Sequence, residues 1–291
     1  MTNVSVEWGQ LGLEDGTQIV YRVIGEEGPA LLLCNGVTTT HFFWEETLPH
    51  WAPRRIVQWD YPGHGRSSRA ITSGSARMES LAATSVRILD ALSIERASTV
   101  GFSMGSQVAL LAALEYPDRF DAVVSLLGPA GKLFETALWG VGGRTAGALL
   151  GVLPKPALHV FHRALHLGMA NPATYRSGRL LGLYGPETQP GHVRALADHV
   201  RTLDASTLRA MLLSAGRLDL LPRLASLRAP LLILSGERDA FAPARTVARP
   251  MRDAAPRAQL VVLEAGTHGS LFGHARMIVE AIERFFGEHD V

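Results

Sequence analysis

The sequence predicts an α/β fold, a mostly parallel, doubly wound sheet with a helical lid inserted after the sixth strand. Short apolar runs, of which Ala30 to Cys34 is typical, alternate with segments of helical period. Such a continuous apolar run is characteristic of a strand buried on both faces of a parallel sheet. The alternation stops from about Gly131 to Ser214, where several helical segments occur without a convincing strand. We therefore expect a core of residues 1–130 and 215–291 and a lid of residues 131–214.

Before the fifth strand, the predicted elements are a hairpin, two buried strands and two helices. The hairpin pairs Val4–Leu13 with Gln18–Gly25, because Asp15-Gly16 between them is a turn signal. The elements that follow are a strand at Ala30–Cys34, a short helix at His41–Leu48 ended by Pro49, a strand at Arg55–Trp59, a Pro- and Gly-rich loop at 60–67 and an amphipathic helix at Ser75–Leu92.

The later elements continue the same alternation on either side of the expected lid. They are a strand at Ala97–Phe102, a helix at Gln107–Glu115, a strand at Ala122–Leu127, a strand at Pro230–Ser235, a helix after Pro243, a strand at Gln259–Leu263 and a helix at Leu271–Phe286. Ligand sites in parallel sheets lie at the carboxyl ends of the strands. The loops that follow these strands are therefore the first places to search for a functional site.

Length and composition indicate one globular domain that carries an insertion. The chain has 291 residues, of which 47% are hydrophobic and 19% charged, so a large core is available. Its net charge of +1 gives no reason to expect nucleic acid as a partner. Cys34 is the single cysteine, which excludes an intramolecular disulfide.

The sequence predicts a cytoplasmic protein without an integral membrane segment. Met1 to Ser5 lack the basic and apolar regions of a secretory signal. No uninterrupted apolar run approaches the roughly 18 residues that a transmembrane helix needs. The oligomeric state is left open.

A nucleophile elbow is predicted at Gly101-Phe102-Ser103-Met104-Gly105, between the fifth strand and the following helix. The two glycines allow the strand and the helix to approach closely, and the strained turn projects the Ser103 hydroxyl above the sheet. The N–H group of Met104 then points to the position where an oxyanion would form.

A serine hydroxyl needs a base, and the base needs an orienting carboxylate. Two loops after late strands supply such groups, Asp239 after the seventh strand and His268 after the eighth. Glu237 is an alternative to Asp239, and His64 is an alternative base in a glycine-rich loop. We expect Asp60 to stabilise its own turn.

With these residues the chain resembles the α/β-hydrolase superfamily, and in particular its serine-nucleophile, lid-bearing, esterase- or lipase-like members. The matching motifs are Asn35-Gly36, Asp60-Tyr61-Pro62-Gly63-His64-Gly65-Arg66-Ser67, Gly101-Phe102-Ser103-Met104-Gly105, Gly236-Glu237-Arg238-Asp239 and Gly266-Thr267-His268. The resemblance implies that Ser103 is the nucleophile, His268 the base and then the acid, and Asp239 its orienting partner. It also implies an oxyanion hole made by the backbone N–H groups of Val37 and Met104.

The resemblance has one departure, because Asn35-Gly36 stands where such hydrolases commonly have His-Gly. The expected oxyanion donor is a main-chain group, so we expect the hole to persist with different supporting hydrogen bonds. The candidate lining of a substrate pocket is Asn35, Phe42, Phe43 and Phe102. For the aromatic residues near His41, packing under the lid is an equal alternative.

From these features we expect a cofactor-independent serine hydrolase that cleaves a carboxylic ester with a largely apolar acyl or alcohol part. Thioester, lactone and carbon–carbon bond hydrolysis, and perhydrolysis, use the same residues and stay open. A ligand receptor with weak or no catalysis is the alternative from another class. The expected partner is a small apolar ester or related acyl compound.

Two further features do not bear on the proposed chemistry. His159, His162 and His166 share a helix face, but no carboxylate accompanies them, so we expect no metal site. The lid is basic, which is most typical of a solvated helix face; an acidic or carrier-linked acyl substrate and an anionic membrane surface are the alternatives. Its charged residues are Lys132, Arg144, Lys155, Arg163, Arg176, Arg179, Arg194, Arg201 and Arg209 against Glu135, Glu187, Asp198 and Asp204.

Overall fold

The structure is a computed structural model that describes residues 5–137, 140–180 and 183–291. Its centre is an eight-stranded sheet with the strand order β1-β2-β4-β3-β5-β6-β7-β8. The strands are β1 (Val6–Gly12), β2 (Gln18–Ile24), β3 (Ala30–Cys34), β4 (Arg55–Trp59), β5 (Ala97–Phe102), β6 (Phe120–Leu126), β7 (Leu231–Gly236) and β8 (Gln259–Leu263). Strands β1 and β2 pair antiparallel, whereas β3 to β8 run parallel.

Helices cover both faces of this sheet and fill the segment between β6 and β7. They are α1 (Met78–Ala91), α2 (Met104–Glu115), α3 (Leu133–Thr136), α4 (Val141–Val152), α5 (Lys155–Ala170), α6 (Pro172–Leu180), α7 (Pro190–Thr202), α8 (Ala205–Arg217), α9 (Arg249–Ala254) and α10 (Leu271–Gly287). The predicted α/β class and doubly wound sheet are confirmed, with helices α3 to α8 following the sixth strand.

Most boundaries agree with the prediction to within three residues, and two differences have local physical reasons. Residues 41–48 form two 3₁₀ turns, His41–Trp44 and Leu48–His50, rather than one helix. Pro49 lies at the start of the second turn, where its missing N–H costs nothing. Helix α2 begins at Met104 rather than Gln107, because the turn is completed by Ser103 alone. The predicted strand end at Val4, like the rest of residues 1–4, lies outside the described residues.

The core follows from the two-residue period of the strands. In β3, Leu32 and Cys34 belong to the cluster under α1, α2 and α9, whereas Leu31 and Leu33 belong to the opposite cluster under α10. All six residues of β5 are buried, as expected for a central parallel strand. The sheet is thus rigidly enclosed where it carries the elbow.

The segment that contains α3 to α8 is joined to the core at both of its ends. Gln107, in the first turns of α2, is fully buried, and its side-chain amide donates to Gly131 O at 2.9 Å and to Ala215 O at 3.0 Å. One residue beside the elbow therefore holds the beginning and the end of the inserted helices. Among the described residues, no helix has the length and apolarity needed to cross a bilayer.

The elbow depends on a close approach of backbones at Gly105. A Cβ atom at Gly105 would lie 2.3 Å from Cys34 O and 2.6 Å from Asn35 O. A side chain at this position would push α2 away from the end of β3. Only glycine permits the observed contact between the elbow and the neighbouring strand.

We predict that Gly105→Ala lowers the free energy of unfolding by about 3 kcal/mol, since backbone atoms have little freedom to move away from the new methyl group. Gly151→Ala is the matched control, because Gly151 lies in α4 with nothing within 4 Å of an added Cβ. There alanine should be neutral or stabilise by up to about 1 kcal/mol. Urea denaturation of both variants is the measurement, and equal stabilities would contradict the elbow argument.

Candidate active site

Ser103 is the single residue between β5 and α2, and its backbone is strained. Its φ of 54° and ψ of −123° lie in a region that non-glycine residues rarely adopt. The strain is held by the hydrogen bond from Ser103 N to Leu126 O, at 2.9 Å, and by the start of α2 at Met104. As a result the hydroxyl stands at the carboxyl end of the sheet.

The structure brings His268 and Asp239 to Ser103, although they are far apart in the sequence. His268 Nε2 lies 3.0 Å from Ser103 Oγ, and His268 Nδ1 lies 2.9 Å from Asp239 Oδ2. The loops that carry the two residues follow β7 and β8, and the bond from Arg238 N to Gly266 O at 2.8 Å joins these loops. The three side chains therefore form a continuous serine–histidine–aspartate chain.

Asp239 is fixed by its own loop, and its carboxylate in turn orients the His268 ring. The carboxylate is buried, and its Oδ1 accepts from Phe241 N at 2.8 Å and from Ala242 N at 2.9 Å. Oδ2 is left to accept the Nδ1–H of His268. A neutral imidazole then presents a lone pair at Nε2, toward the Ser103 hydroxyl.

Glu237, the alternative acid, lies elsewhere. Its Oε2 accepts from Ala265 N at 3.0 Å on the exposed side of the same loop pair. Asp239 is thus the carboxylate that contacts His268. The imidazole itself lies between two aromatic rings, with centroid distances of 5.2 Å to Phe102 and 4.9 Å to Phe241.

The turn after β3 lies directly against the serine. A Cβ atom at Gly36 would be 2.9 Å from the Phe102 ring and 3.3 Å from Ser103 Cβ. Val37, whose N–H is the expected second oxyanion donor, is the next residue of this turn. Met104 follows Ser103 directly, and its N–H has no acceptor within its own helix because it lies in the first turn.

Asn35 supports this turn from below. Its amide donates to Trp59 O at 2.6 Å, and its carbonyl oxygen accepts from Trp44 Nε1 at 2.8 Å. The side chain is 1% exposed, so both of its polar groups are used within the scaffold. We therefore assign Asn35 to positioning of the turn, rather than to the substrate pocket expected from the sequence.

His64, the alternative base, holds the same turn. Its Nε2 contacts Val37 O at 2.6 Å and its Nδ1 contacts Pro62 O at 2.9 Å. Burial lowers the pKa of His64 from its usual 6.5, although both carbonyl contacts oppose this shift. These contacts leave His64 as a clamp between two loops. Asp60 caps its own loop as expected, accepting from Arg66 N at 2.9 Å.

The three candidate pocket aromatics divide into two kinds. Phe43 and Phe102 are each 3% exposed and contact one another at a centroid distance of 4.3 Å. They form the floor beneath the serine and the imidazole. Phe42 is only partly buried, and its ring contacts His199 of α7 at 5.9 Å. Phe42 therefore lies between the core and the inserted helices.

Cys34 and the three histidines of α5 take no part in the candidate site. Burial raises the pKa of the Cys34 thiol to about 12, which makes it an unreactive core residue. His159 Nδ1 donates to Lys155 O at 2.7 Å, and His166 Nδ1 contacts Ala197 O at 3.0 Å. Within residues 5–137, 140–180 and 183–291, no group of three potential metal ligands occurs.

Helix α7 and its neighbours lie over the turn that carries Val37. Val37 packs against a cluster of Val200, Leu203 and Leu208 from α7 and α8. At the other end of α7, His192 stacks on Phe272 with centroids 4.4 Å apart, and its Nε2 lies 2.8 Å from Glu46 Oε1. Both ends of α7 therefore contact the core.

Sequence reasoning missed His199 of α7, which carries no recognisable motif. Its ring lies 5.5 Å from that of His64. Burial lowers the pKa of His199 from 6.5 to about 4; the nearby His64 and His41 act in the same direction, and Asp60 opposes them. A neutral ring therefore packs at this contact near neutral pH.

Gln107 and Gly128 were also missed. The amide of Gln107 anchors the inserted helices, and a Cβ at Gly128 would lie 2.2 Å from Ser103 O. A glycine directly after a strand that neighbours the elbow was the available signal for Gly128. No local pattern pointed to Gln107, since its partners are distant in the sequence.

A sequence model for the family described as alpha/beta hydrolase fold matches residues 29–275. The match contains the whole of the serine–histidine–aspartate chain. It also contains both turns that flank Ser103 and all the helices between β6 and β7.

The chain is similar to several curated and solved proteins of related kinds. It is 27% identical, over 90% of its length and 91% of the relative's, to a putative carbamate hydrolase of Variovorax paradoxus. It is 27% identical, over 94% of both chains, to a 2-hydroxy-6-oxononadienedioate/2-hydroxy-6-oxononatrienedioate hydrolase of Burkholderia vietnamiensis. The crystal structure of an enol-lactonase from Burkholderia xenovorans superposes with a TM-score of 0.76 at 21% identity, covering 96% of this chain and all of that one; this likeness shows the fold alone.

We predict that acid loosens α7 through His199. Because the pKa of this residue is about 4 when packed and 6.5 when free, packing of the neutral ring is fully stabilising above pH about 6.5. That contribution is lost as the pH falls through about 4. Hydrogen exchange of residues 190–202, corrected for intrinsic rates, should show reduced protection at about pH 4 relative to about pH 7.5.

His199→Leu is the control, because leucine packs without titrating. The variant and the unchanged protein both keep the ion pair of His192 with Glu46 and the contact of His166 with Ala197. A difference between them in the loss of protection at acid pH is therefore due to His199. Identical loss of protection in the variant and in the unchanged protein would contradict the assignment.

Proposed function

This chain belongs to the alpha/beta hydrolase fold family, and on that premise we propose that it is a serine hydrolase of carboxylic esters with a largely apolar acyl or alcohol part. One observation carries the proposal. His268 Nε2 lies 3.0 Å from Ser103 Oγ while its Nδ1 lies 2.9 Å from Asp239 Oδ2, which is the arrangement that activates a serine hydroxyl.

In the first half of the reaction, Ser103 Oγ attacks the ester carbonyl carbon and His268 Nε2 takes the hydroxyl proton. The resulting imidazolium is stabilised by the Asp239 carboxylate, which stays ionised. The carbonyl oxygen becomes an oxyanion between the N–H groups of Met104 and Val37. Collapse of this intermediate breaks the bond to the alcohol, which leaves with the proton from His268.

In the second half, water replaces the alcohol. His268 Nε2 takes a proton from the water, whose oxygen attacks the acyl-enzyme carbonyl. Collapse of the second intermediate releases the carboxylic acid and returns the proton to Ser103 Oγ. The nucleophile, base and oxyanion donors all belong to the chain, so the proposed reaction needs no cofactor.

We assign residues 131–214 the role of a lid, over the core of residues 1–130 and 215–291. This is supported by the contact of Val37 with the apolar cluster Val200, Leu203 and Leu208, and by the contact of Phe42 with His199. A substrate that reaches Ser103 would pass between these apolar surfaces, which favours an apolar acyl or alcohol part. The cytoplasmic location inferred from the sequence stays a prediction.

The names of the relatives favour a second candidate. A 3-oxoadipate enol-lactonase of Acinetobacter baylyi and a 2-hydroxy-6-oxononadienedioate/2-hydroxy-6-oxononatrienedioate hydrolase are among the proteins similar in sequence. Lactone hydrolysis is the same acyl transfer with the leaving alcohol still tethered. Carbon–carbon bond hydrolysis would instead require His268 to deliver a proton to a carbon leaving group.

We predict that the protein hydrolyses p-nitrophenyl esters with a rate that peaks at one acyl chain length, and that Ser103→Ala removes this activity. Loss of the nucleophile should reduce kcat by about 10⁴-fold or more, because the base then has no hydroxyl to activate. Release of p-nitrophenol, with a lactone and a thioester assayed in parallel, is the measurement.

Three outcomes distinguish the alternatives. Turnover of the lactone alone would indicate that the substrate is a cyclic ester rather than an open-chain one. Equal turnover by the unchanged protein and Ser103→Ala would contradict serine catalysis. Binding without turnover on any substrate, unaffected by the substitution, would instead indicate a receptor.

We predict that Asp239→Asn reduces kcat by about 10⁴-fold with little change in stability or KM. Oδ1 would continue to accept from Phe241 N and Ala242 N, so the new NH₂ group must face His268. Nδ1 would then accept, Nε2 would carry the proton, and the base could no longer accept from Ser103. Steady-state kinetics with a thermal melt is the test, and Glu237→Gln is the control that should retain activity.

A further inference from the structure

The outer surface of α4, α5 and α6 exposes an unusual number of large apolar side chains. Of the fifteen such residues exposed in the described part of the chain, eight lie between residues 141 and 180. They are Val141, Leu149, Val152, Val160, Phe161, Leu165, Leu167 and Leu180. Val152 is 79% exposed and Leu180 is 90% exposed, so these two side chains do not pack at the edge of the hydrophobic core.

Four of these residues, Val141 and Val152 of α4 and Val160 and Leu167 of α5, lie opposite the buried positions of their helices. Leu150 of α4 and Leu158 of α5 are buried in one cluster against α8. Val141 and Val152 lie on the face of α4 opposite Leu150, by the helical period. The α4–α5 corner is tied to α8 as well, because Arg209 donates to Gly151 O and Leu153 O.

On α5 the outward residues follow a helical spacing that mixes apolar and basic side chains. Val160, Arg163 and Leu167 lie at i, i+3 and i+7 and are all exposed, on the side opposite Leu158. Arg163 is thus flanked on the same face by two exposed apolar residues. This is the pattern of a surface that meets an apolar phase and negative charge together.

The charge of this surface has one sign only. The basic residues of α4 to α6 are all exposed: Arg144, Lys155, Arg163, Arg176 and Arg179. The sequence contains no Asp or Glu between Glu135 and Glu187. Residues 141–180 therefore carry +5, while the remainder of the chain carries −4, since the whole chain has 28 basic and 27 acidic residues.

We propose that this outer surface of α4 to α6 docks on an anionic lipid membrane. Apolar side chains enter the boundary of the acyl chains while the arginine and lysine side chains contact lipid phosphates. A second copy of the chain fits less well, because a symmetric contact would oppose basic residues to basic residues without a carboxylate between them. The docking is peripheral, and it does not depend on the proposed hydrolysis.

The test is flotation of the full-length protein with lipid vesicles. Ser103→Ala is used throughout, so that the lipid stays intact, and its result separates docking from the outcome of the activity assays. We expect binding to phosphatidylcholine vesicles that contain about 30% phosphatidylglycerol, and its loss when the salt is raised from about 0.05 to 0.5 M. Pure phosphatidylcholine vesicles should bind at least about tenfold more weakly.

Two double variants locate the surface. Val160→Gln with Leu167→Gln, and Arg163→Gln with Arg179→Gln, should each weaken binding by about tenfold or more. Two matched controls each remove a pair of exposed side chains elsewhere on the core. Ile71→Gln with Met277→Gln removes two apolar side chains, and Arg245→Gln with Arg257→Gln removes two basic ones. The controls should stay within about twofold of the parent, and circular dichroism verifies that each variant is folded.

Several results would overturn the proposal. These are equal binding to neutral and anionic vesicles, absence of binding to both, or variants of α5 and α6 that bind as well as their controls. A further contradicting result would come from light scattering. If the protein does not bind vesicles but forms a dimer, and Val160→Gln with Leu167→Gln disrupts that dimer, the surface serves self-association.

Discussion

The close approach of two backbones at the elbow is the constraint on which the rest of the structure depends. Ser103 turns β5 into α2 by itself, in a conformation that costs a non-glycine residue about 1–3 kcal/mol. The burial of all six residues of β5 and of most of α2 offsets that cost. Because Gly105 lies against the Cys34 carbonyl, the same contact that sustains the strain also fixes the end of β3, and with it the turn that carries Val37. The elbow serine and the turn of Val37 are therefore positioned together.

The parallel order of β3, β5, β6, β7 and β8 does the remaining assembly, since the carboxyl ends of parallel strands meet at one edge. Ser103 and His268 are 165 residues apart, yet each needs only a short loop to reach the other. Two backbone N–H groups of the same loop hold the Asp239 carboxylate, and this carboxylate in turn orients His268. The rings of Phe102 and Phe241 pack on the imidazole as well, which further restricts its orientation.

Sequence reasoning recovered the parts of this molecule that are specified locally. The bounds of β3, β4 and β8 follow from short apolar runs, and the contacting serine, histidine and aspartate follow from small-residue motifs beside strands. What it missed is specified by packing between distant segments. Gln107 bonds residues 24 and 108 positions away, and His199 owes its lowered pKa to burial against a different part of the chain. The sequence offers Asn35 as a candidate pocket residue, whereas in the structure the Trp59 carbonyl and the Trp44 indole N–H use both ends of its amide.

Within residues 131–214 the excess positive charge is confined to one part, and packing of the segment on the core does not require this distribution. Outside α4 to α6, residues 131–214 contain four basic and four acidic side chains, so that part of the segment is neutral. The whole excess of five positive charges lies on α4 to α6, together with the exposed apolar side chains. A merely solvated helix surface carries both signs interspersed and few large apolar groups. The proposed lid needs only an apolar inner side, and α7 and α8 already supply apolar contacts to Val37. The proposed docking on an anionic membrane accounts for the composition of α4 to α6, which a role in covering the core does not.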